Sequence, residues 1–105
     1  IMQFGAKVKI LILNNQFLGM VRQWQELFNE RRYSFVNITS PDFVALAKSY
    51  YIDGNKISER QDLETALKTM LDHDGGYLLE VMVGKENNVF PMVAQGTSVS
   101  EIRLK

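Results

Sequence analysis

The run Val8, Ile10, Leu11, Ile12, Leu13 is the feature that most limits what this chain can fold into. It is nearly continuous in apolar residues rather than alternating. An unbroken apolar run of this kind suits a parallel strand covered on both faces. It ends abruptly in two asparagines, Asn14 and Asn15, and a tryptophan-bearing helical pattern follows from Gly19 to Asn29. A strand that ends in amides and hands over to a helix delivers polar ligands to the carboxyl edge of a sheet. Taken alone, the Asn14-Asn15 pair also suits a plain turn after a strand.

The remaining periodicities fill in an α/β order. The spacing of Met20, Trp24, Leu27 and Phe28 gives the first helix an apolar stripe. Residues 30 to 39 are aperiodic and read as a loop with buried aromatics at Tyr33 and Phe35. Ser40-Pro41-Asp42 opens a second helix through Phe43, Leu46, Ala47 and Tyr50, with Ser40 able to cap and Asp42 favouring the positive helix end. Gly54 marks a turn or a close approach, and Asn55 to Ser58 reads as a short strand. Ser58-Glu59-Arg60-Gln61 has capping-box spacing, and Leu63, Ala66, Leu67 and Met70 form the apolar face of the next helix. Asp74-Gly75-Gly76 is a turn, and Tyr77 to Val83 a last apolar strand. Strand, helix, helix, strand, helix, strand predicts a mostly parallel sheet with covering helices.

Bulk properties exclude several classes. With 105 residues the chain suits one compact unit. Twelve basic and 12 acidic residues cancel, and Arg31-Arg32 is too small a basic cluster for a phosphate-backbone footprint. Neither nucleic acid nor a membrane is an expected partner. Cysteine is absent, which removes disulfides, thiolate catalysis and sulfur-ligated metals and fits a cytoplasmic setting. No run is long enough to cross a bilayer. Ile1-Met2-Gln3-Phe4-Gly5 reads as a helix end running into a glycine turn, so the chain is expected to be a piece of something longer. The lone His73, between Asp72 and Asp74, reads as a helix-end or solvent-exposed residue rather than a catalytic one.

Ile12-Leu13-Asn14-Asn15, followed by Gly19-Met20-Val21-Arg22-Gln23-Trp24-Gln25-Glu26-Leu27-Phe28, resembles the thiamine-diphosphate-binding C-terminal domain of the acetolactate synthase (acetohydroxyacid synthase) catalytic subunits. The likeness continues through Arg32-Tyr33-Ser34, Pro41-Asp42-Phe43-Val44, Leu46-Ala47, Leu78-Leu79-Glu80-Val81 and Val89-Phe90-Pro91-Met92-Val93. The asparagine pair alone is a weak signal. Joined to Gly-Met-Val-Arg-Gln-Trp-Gln at this spacing, it is specific to acetolactate synthases among thiamine-diphosphate enzymes.

The resemblance implies the following. Residues 1–105 are a C-terminal fragment of a partial three-layer fold with three strands present, the last lying between the other two, and the N-terminal part of the domain missing. The first strand then exposes a sticky edge. The cofactors are thiamine diphosphate and Mg2+. Asn15 ligates magnesium by its side chain and Phe17 by its main-chain carbonyl. Gly19 and Met20 lie along the cofactor, and Trp24 lines the pocket for the second 2-oxoacid, favouring 2-oxobutyrate. The family's Gly-Asp-Gly, which carries the acidic magnesium ligand, and its activating glutamate are not in this chain, so no catalytic residue is assigned and the fragment alone is expected to be inactive. The parent enzyme condenses two pyruvates, or pyruvate and 2-oxobutyrate, in branched-chain amino-acid biosynthesis. It is a homodimer or larger, with a possible regulatory small subunit. Two departures stand out: Tyr51 where relatives place glycine, and Asn55 where they place an aliphatic residue. The alternatives are another thiamine-diphosphate decarboxylase or carboligase, or a non-catalytic α/β assembly module.

Overall fold

The computed structural model describes all of residues 1–105. The chain divides into two compact units, Ile1–Gln16 with Thr39–Gly84, and Phe17–Ile38 with Lys85–Lys105. The first unit holds a three-stranded sheet of β1 (Lys9–Asn14), β2 (Asp53–Ile57) and β3 (Tyr77–Met82). The order is β1-β3-β2 and both pairings are parallel. The last strand therefore lies between the other two, and the α/β reading with a parallel sheet holds.

Helix α1 (Gly19–Phe28) belongs to the second unit, and α2 (Phe43–Ser49) and α3 (Leu63–Asp72) to the first. The apolar face read for α3 is the one that packs. Ala66 and Met70 are buried with Ile57, Tyr77 and Leu79, and Leu63, Leu67 and Val81 pack against this cluster. Leu79 is fully buried because β3 has a neighbour on each side and helices over it. Burying each such aliphatic side chain contributes about 2 kcal/mol. Parallel strands need short-range backbone clearance too. At Gly54 a Cβ would lie 2.7 Å from the Leu78 carbonyl oxygen, so the glycine marks a close approach within β2 rather than a turn.

Helix termini depart from expectation in instructive ways. Asp42, not Ser40, caps α2: its carboxylate accepts from the Ala45 amide at 2.8 Å. Pro41 then precedes the cap instead of occupying the first turn. The capping box at Ser58 does not form. Glu59 precedes a short 3-10 turn, Arg60–Asp62, whose last residue is the N-cap of α3, and neither Glu59 nor Asp62 makes a side-chain cap. At the chain start Met2–Phe4 is a 3-10 turn closed by Gly5 at φ 60°, matching the helix-end reading. His73 is the C-cap residue of α3, with Nε2 2.9 Å from Asp53 Oδ2.

The turn before β3 is tied to β1 by charge. The Lys9 ammonium donates to the carbonyls of His73 and Gly75 at 2.5 and 2.7 Å. Lys7 pairs with Asp74. The hydrogen bond and charge of Lys7 hold the Asp74 carboxyl below its ordinary pKa. A lowered carboxyl pKa contributes stability above the ordinary value that is lost as pH falls through the lowered one. Solvent screening keeps the effect small at this exposed pair.

β1 has a single neighbour, and Leu11 and Leu13 on it, with Val8 just before it, are exposed, so the expected cover on both faces is not formed within residues 1–105. Asn55 lies on the other outer strand, β2, and is exposed. Its Oδ1 accepts from the Lys56 amide at 2.8 Å, so a polar residue is accommodated there. Tyr51 is the more telling departure. The amides of Tyr51 and Ile52 donate to the carbonyls of Lys48 and Ala47, at 2.9 and 3.0 Å. This is a Schellman closure of α2, which requires a left-handed residue after the C-cap Tyr50. Tyr51 fills it at φ 55° and is 88% exposed. A side chain in this region costs about 1–2 kcal/mol, and an exposed ring recovers little. Tyr51→Gly is expected to stabilise the protein by about 1 kcal/mol, read as a higher urea midpoint at unchanged slope.

Candidate functional site

The candidate residues fall at the end of β1 and in the segment that follows it. In the first unit, β1 ends at Asn14, which is buried, and Asn15 is half-buried just beyond. Asn14 Oδ1 accepts from the Gln16 amide at 2.9 Å, and Asn14 Nδ2 donates to Glu80 Oε1 at 2.7 Å. The first contact closes a local Asx turn around Asn15. Gln16 completes it at φ 58°. Glu80 stands opposite Ile12 and Lys56 in the sheet register. Its side chain is 1% exposed, and Lys56 Nζ lies 3.4 Å from Oε2, within ion-pair range. That contact does not meet hydrogen-bond geometry, and Oε2 is left without a donor.

In the second unit, Phe17 forms an antiparallel bridge with Asn37, and the Leu18 amide donates to the Val36 carbonyl at 2.8 Å. α1 (Gly19–Phe28) then begins at Gly19, with Leu18 at the N-cap and no side-chain cap. Its amphipathic sense is the reverse of the simple expectation. The stripe residues Met20 and Phe28 are exposed and Trp24 and Leu27 half-buried, whereas Arg22 and Gln23 are buried. Trp24 and Phe28 stack with ring centroids 4.8 Å apart.

The burial of Arg22 and Gln23 is explained by their partners. The Arg22 guanidinium donates to Glu26 at 3.1 Å, Tyr33 Oη at 3.2 Å and Glu86 at 2.5 Å, and lies 4.7 Å from the Tyr33 ring centroid. A planar fork with five donors suits such a crowded acceptor set. The Gln23 amide brackets Val89: Nε2 donates to its carbonyl at 3.0 Å, and Oε1 accepts from its amide at 2.7 Å. This bracket anchors the tail segment to α1. In the loop between, Val36 is the buried residue. Phe35 is fully exposed and Tyr33 is partly exposed with its ring against Arg22, which corrects the expectation of buried aromatics there.

Hard neutral oxygens are what the motif offers a metal. No group of three or more His, Cys, Asp or Glu side chains is arranged to hold a metal ion. An asparagine oxygen with a main-chain carbonyl fits Mg2+, which takes hard oxygen ligands and commonly shares substrate phosphates. The donor chemistry therefore fits magnesium held together with a diphosphate. Glu80 and Asn14 were not singled out as site residues from sequence. The available signal was a lone carboxylate inside the apolar run from Tyr77 to Val83.

Residues 1–81 match the family model described as the thiamine pyrophosphate enzyme, C-terminal TPP binding domain. The chain belongs to the thiamine pyrophosphate enzymes. Among curated relatives it is 49% identical over 96 residues to the acetolactate synthase isozyme 2 large subunit of Escherichia coli (strain K12), covering 90% of this chain and 18% of that protein. It is 46% identical over 99 residues to the mitochondrial acetolactate synthase catalytic subunit of Saccharomyces cerevisiae (strain ATCC 204508 / S288c), covering 94% and 14%. The chain thus spans less than a fifth of these relatives' length. A solved thiamine diphosphate-dependent 4-hydroxybenzoylformate decarboxylase from Rhodococcus jostii RHA1 superposes with a TM-score of 0.69 at 31% identity, covering 79% of this chain and 16% of that one. Benzoylformate decarboxylase from Polynucleobacter necessarius shares the fold at 24% identity and a TM-score of 0.69, covering 83% and 17%.

The Gln23 bracket has a direct readout. Gln23→Leu is expected to speed amide hydrogen exchange at Val89 roughly fivefold, since a hydrogen bond worth about 1 kcal/mol is lost.

Proposed function

We propose that residues 1–105 form part of the C-terminal TPP-binding domain of an acetolactate synthase catalytic subunit. The parent enzyme would condense two pyruvates to 2-acetolactate and CO2, or pyruvate with 2-oxobutyrate. The observation that carries this reading is the Asn14-Asn15 pair at the carboxyl end of a parallel strand, followed at fixed spacing by a helix opening Gly-Met-Val-Arg-Gln-Trp-Gln. The identities of 49% and 46% to acetolactate synthase subunits support it.

By motif position, Asn15 holds Mg2+ through its side-chain oxygen and Phe17 through its main-chain oxygen. Gly19, having no side chain, and Met20 lie along the cofactor. When bound, thiamine diphosphate supplies the electron sink for the carbanion left after decarboxylation. Trp24 shapes the acceptor pocket and orients the second 2-oxoacid. Within residues 1–105 Trp24 is half-buried and Met20 exposed, which leaves both side chains available to line a pocket. The parent is a homodimer or larger, acts in branched-chain amino-acid biosynthesis in the cytoplasm, and can associate with a regulatory small subunit. No helix here is long and apolar enough to cross a membrane.

The decarboxylase with the similar fold favours a second reading, a thiamine-diphosphate decarboxylase. Two experiments on the full-length protein decide. Calorimetric titration with thiamine diphosphate is expected to show saturable binding that requires magnesium; folded protein without binding removes the cofactor reading. Product analysis with pyruvate is expected to give acetolactate, and free acetaldehyde instead would favour the decarboxylase. In the same assay, Trp24→Leu is expected to lower the preference for 2-oxobutyrate over pyruvate about tenfold, the scale of one lost pocket contact.

A further inference from the structure

We infer that Glu80 is a positioning residue for the magnesium ligand Asn15, acting through the side chain of Asn14. The inference rests on the proposed function, because it assigns a role within that same site. The chain of contacts is short. Glu80 Oε1 accepts from Asn14 Nδ2 at 2.7 Å, and Asn14 Oδ1 accepts from the Gln16 amide at 2.9 Å. Sheet geometry makes the first contact possible. Ile12 is in register with Glu80, and Asn14 is two residues farther along β1. It therefore projects from the same face as Ile12, one pleat on. A glutamate reaches that position diagonally across the two strands.

The two contacts together leave the Asn14 amide one orientation. Its nitrogen must face the carboxylate, which only accepts, and its oxygen must face the main-chain N–H, which only donates. With the amide fixed, the Asx turn is fixed, and Asn15 sits at the centre of that turn. Gln16 is held at φ 58° by the same closure, a conformation that a free non-glycine residue rarely adopts.

Stability alone does not account for a glutamate here. Glu80 is 1% exposed in a strand otherwise filled by Tyr77, Leu78, Leu79, Val81 and Met82. Burying a carboxylate is costly, and well-packed apolar replacements of whole buried ion pairs are often neutral or stabilising, whereas removing one partner alone is destabilising. The compensation present is partial: one amide donor, Lys56 at 3.4 Å, and an Oε2 without a hydrogen-bond donor. A buried acceptor at such a position, hydrogen-bonded to the residue next to the proposed metal ligand, is placed to orient that ligand. Contacts of this kind typically change metal affinity by about 10- to 100-fold when removed.

The test uses the full-length protein and calorimetric magnesium titration at saturating thiamine diphosphate, with urea unfolding in parallel. Glu80→Leu and Asn14→Ala are each expected to weaken magnesium binding about 10- to 100-fold. The double variant is expected to be no worse than the weaker-binding single, because both changes break one relay. Glu80→Gln keeps an acceptor oxygen and is expected to stay within about threefold of wild type, under 1 kcal/mol. Glu80→Leu leaves the buried Asn14 Nδ2 without its acceptor and is expected to unfold at a lower urea midpoint than wild type, so magnesium binding is compared on folded protein. Unchanged magnesium affinity in either single variant overturns the inference, as does a double variant whose losses multiply. A Glu80→Gln loss as large as that of Glu80→Leu also overturns it. If Glu80→Leu does not fold, Asn14→Ala and Glu80→Gln decide on the same criteria. Magnesium-independent or absent cofactor binding by the wild type instead overturns the functional reading beneath it, a separately recognisable result.

Discussion

The first unit depends on β3 being flanked on both sides. A strand with two parallel neighbours satisfies its backbone groups entirely within the sheet and presents both faces to packing. Tyr77 through Glu80 are accordingly all buried. Four consecutive buried residues leave little tolerance for a polar side chain, so the single carboxylate among them must be answered by its neighbours. The answer comes from both adjacent strands: Asn14 from β1 and Lys56 from β2. The sheet order thus does more than build a core. It brings the end of β1 under the control of a residue in the middle of β3, and the turn at Asn14-Asn15 inherits the rigidity of the sheet.

The second unit solves a different problem. α1 buries its polar residues and leaves much of its apolar stripe uncovered. Burying a guanidinium is tolerable when its donors are met, and Arg22 meets two carboxylates and a phenol. Gln23 replaces two backbone hydrogen bonds for Val89. Polar recognition therefore secures the chain segments of this unit, and Met20 and Trp24 are left for another use. A helix whose apolar side were spent on its own packing would have no comparable surface for a hydrophobic ligand.

The legible part of the sequence was the part governed by periodicity and by a dense motif. The i, i+3, i+4 pattern from Leu63 to Met70 named its element and its buried face; the apolar run ending at Leu13 named its strand, but not the expected cover on both faces, since Leu11 and Leu13 are exposed. The resemblance supplied the strand order, which local pattern cannot supply. Where two local signals competed, the structure chose on geometry. Ser40 and Asp42 both could cap α2, and Asp42 won because the helix starts at Phe43. Ser58 had the spacing of a capping box but precedes a 3-10 turn, and α3 begins at Leu63 with Asp62 at its N-cap. Phe35 looked like core by residue type, yet it has φ 52° and full exposure, while Val36 beside it is buried. The Glu80–Asn14 contact was illegible for a plainer reason. The residues are 66 positions apart, and only the parallel register brings them together.

The neutrality of the proposed ligands has a consequence for how cofactor and metal bind. An asparagine oxygen and a main-chain carbonyl orient a divalent cation but do not neutralise it. Within this chain no acidic cluster stands ready to do so. Charge compensation must come from groups outside the pair, and a diphosphate is the chemically natural source. Metal and diphosphate then each raise the other's affinity by the same factor, as linkage requires. Under that coupling, the geometry of the amide matters more than its strength: a neutral ligand contributes by being in place when the two charges meet. This is why a buried carboxylate spent on orienting Asn14, rather than on the metal directly, is a coherent use of charge.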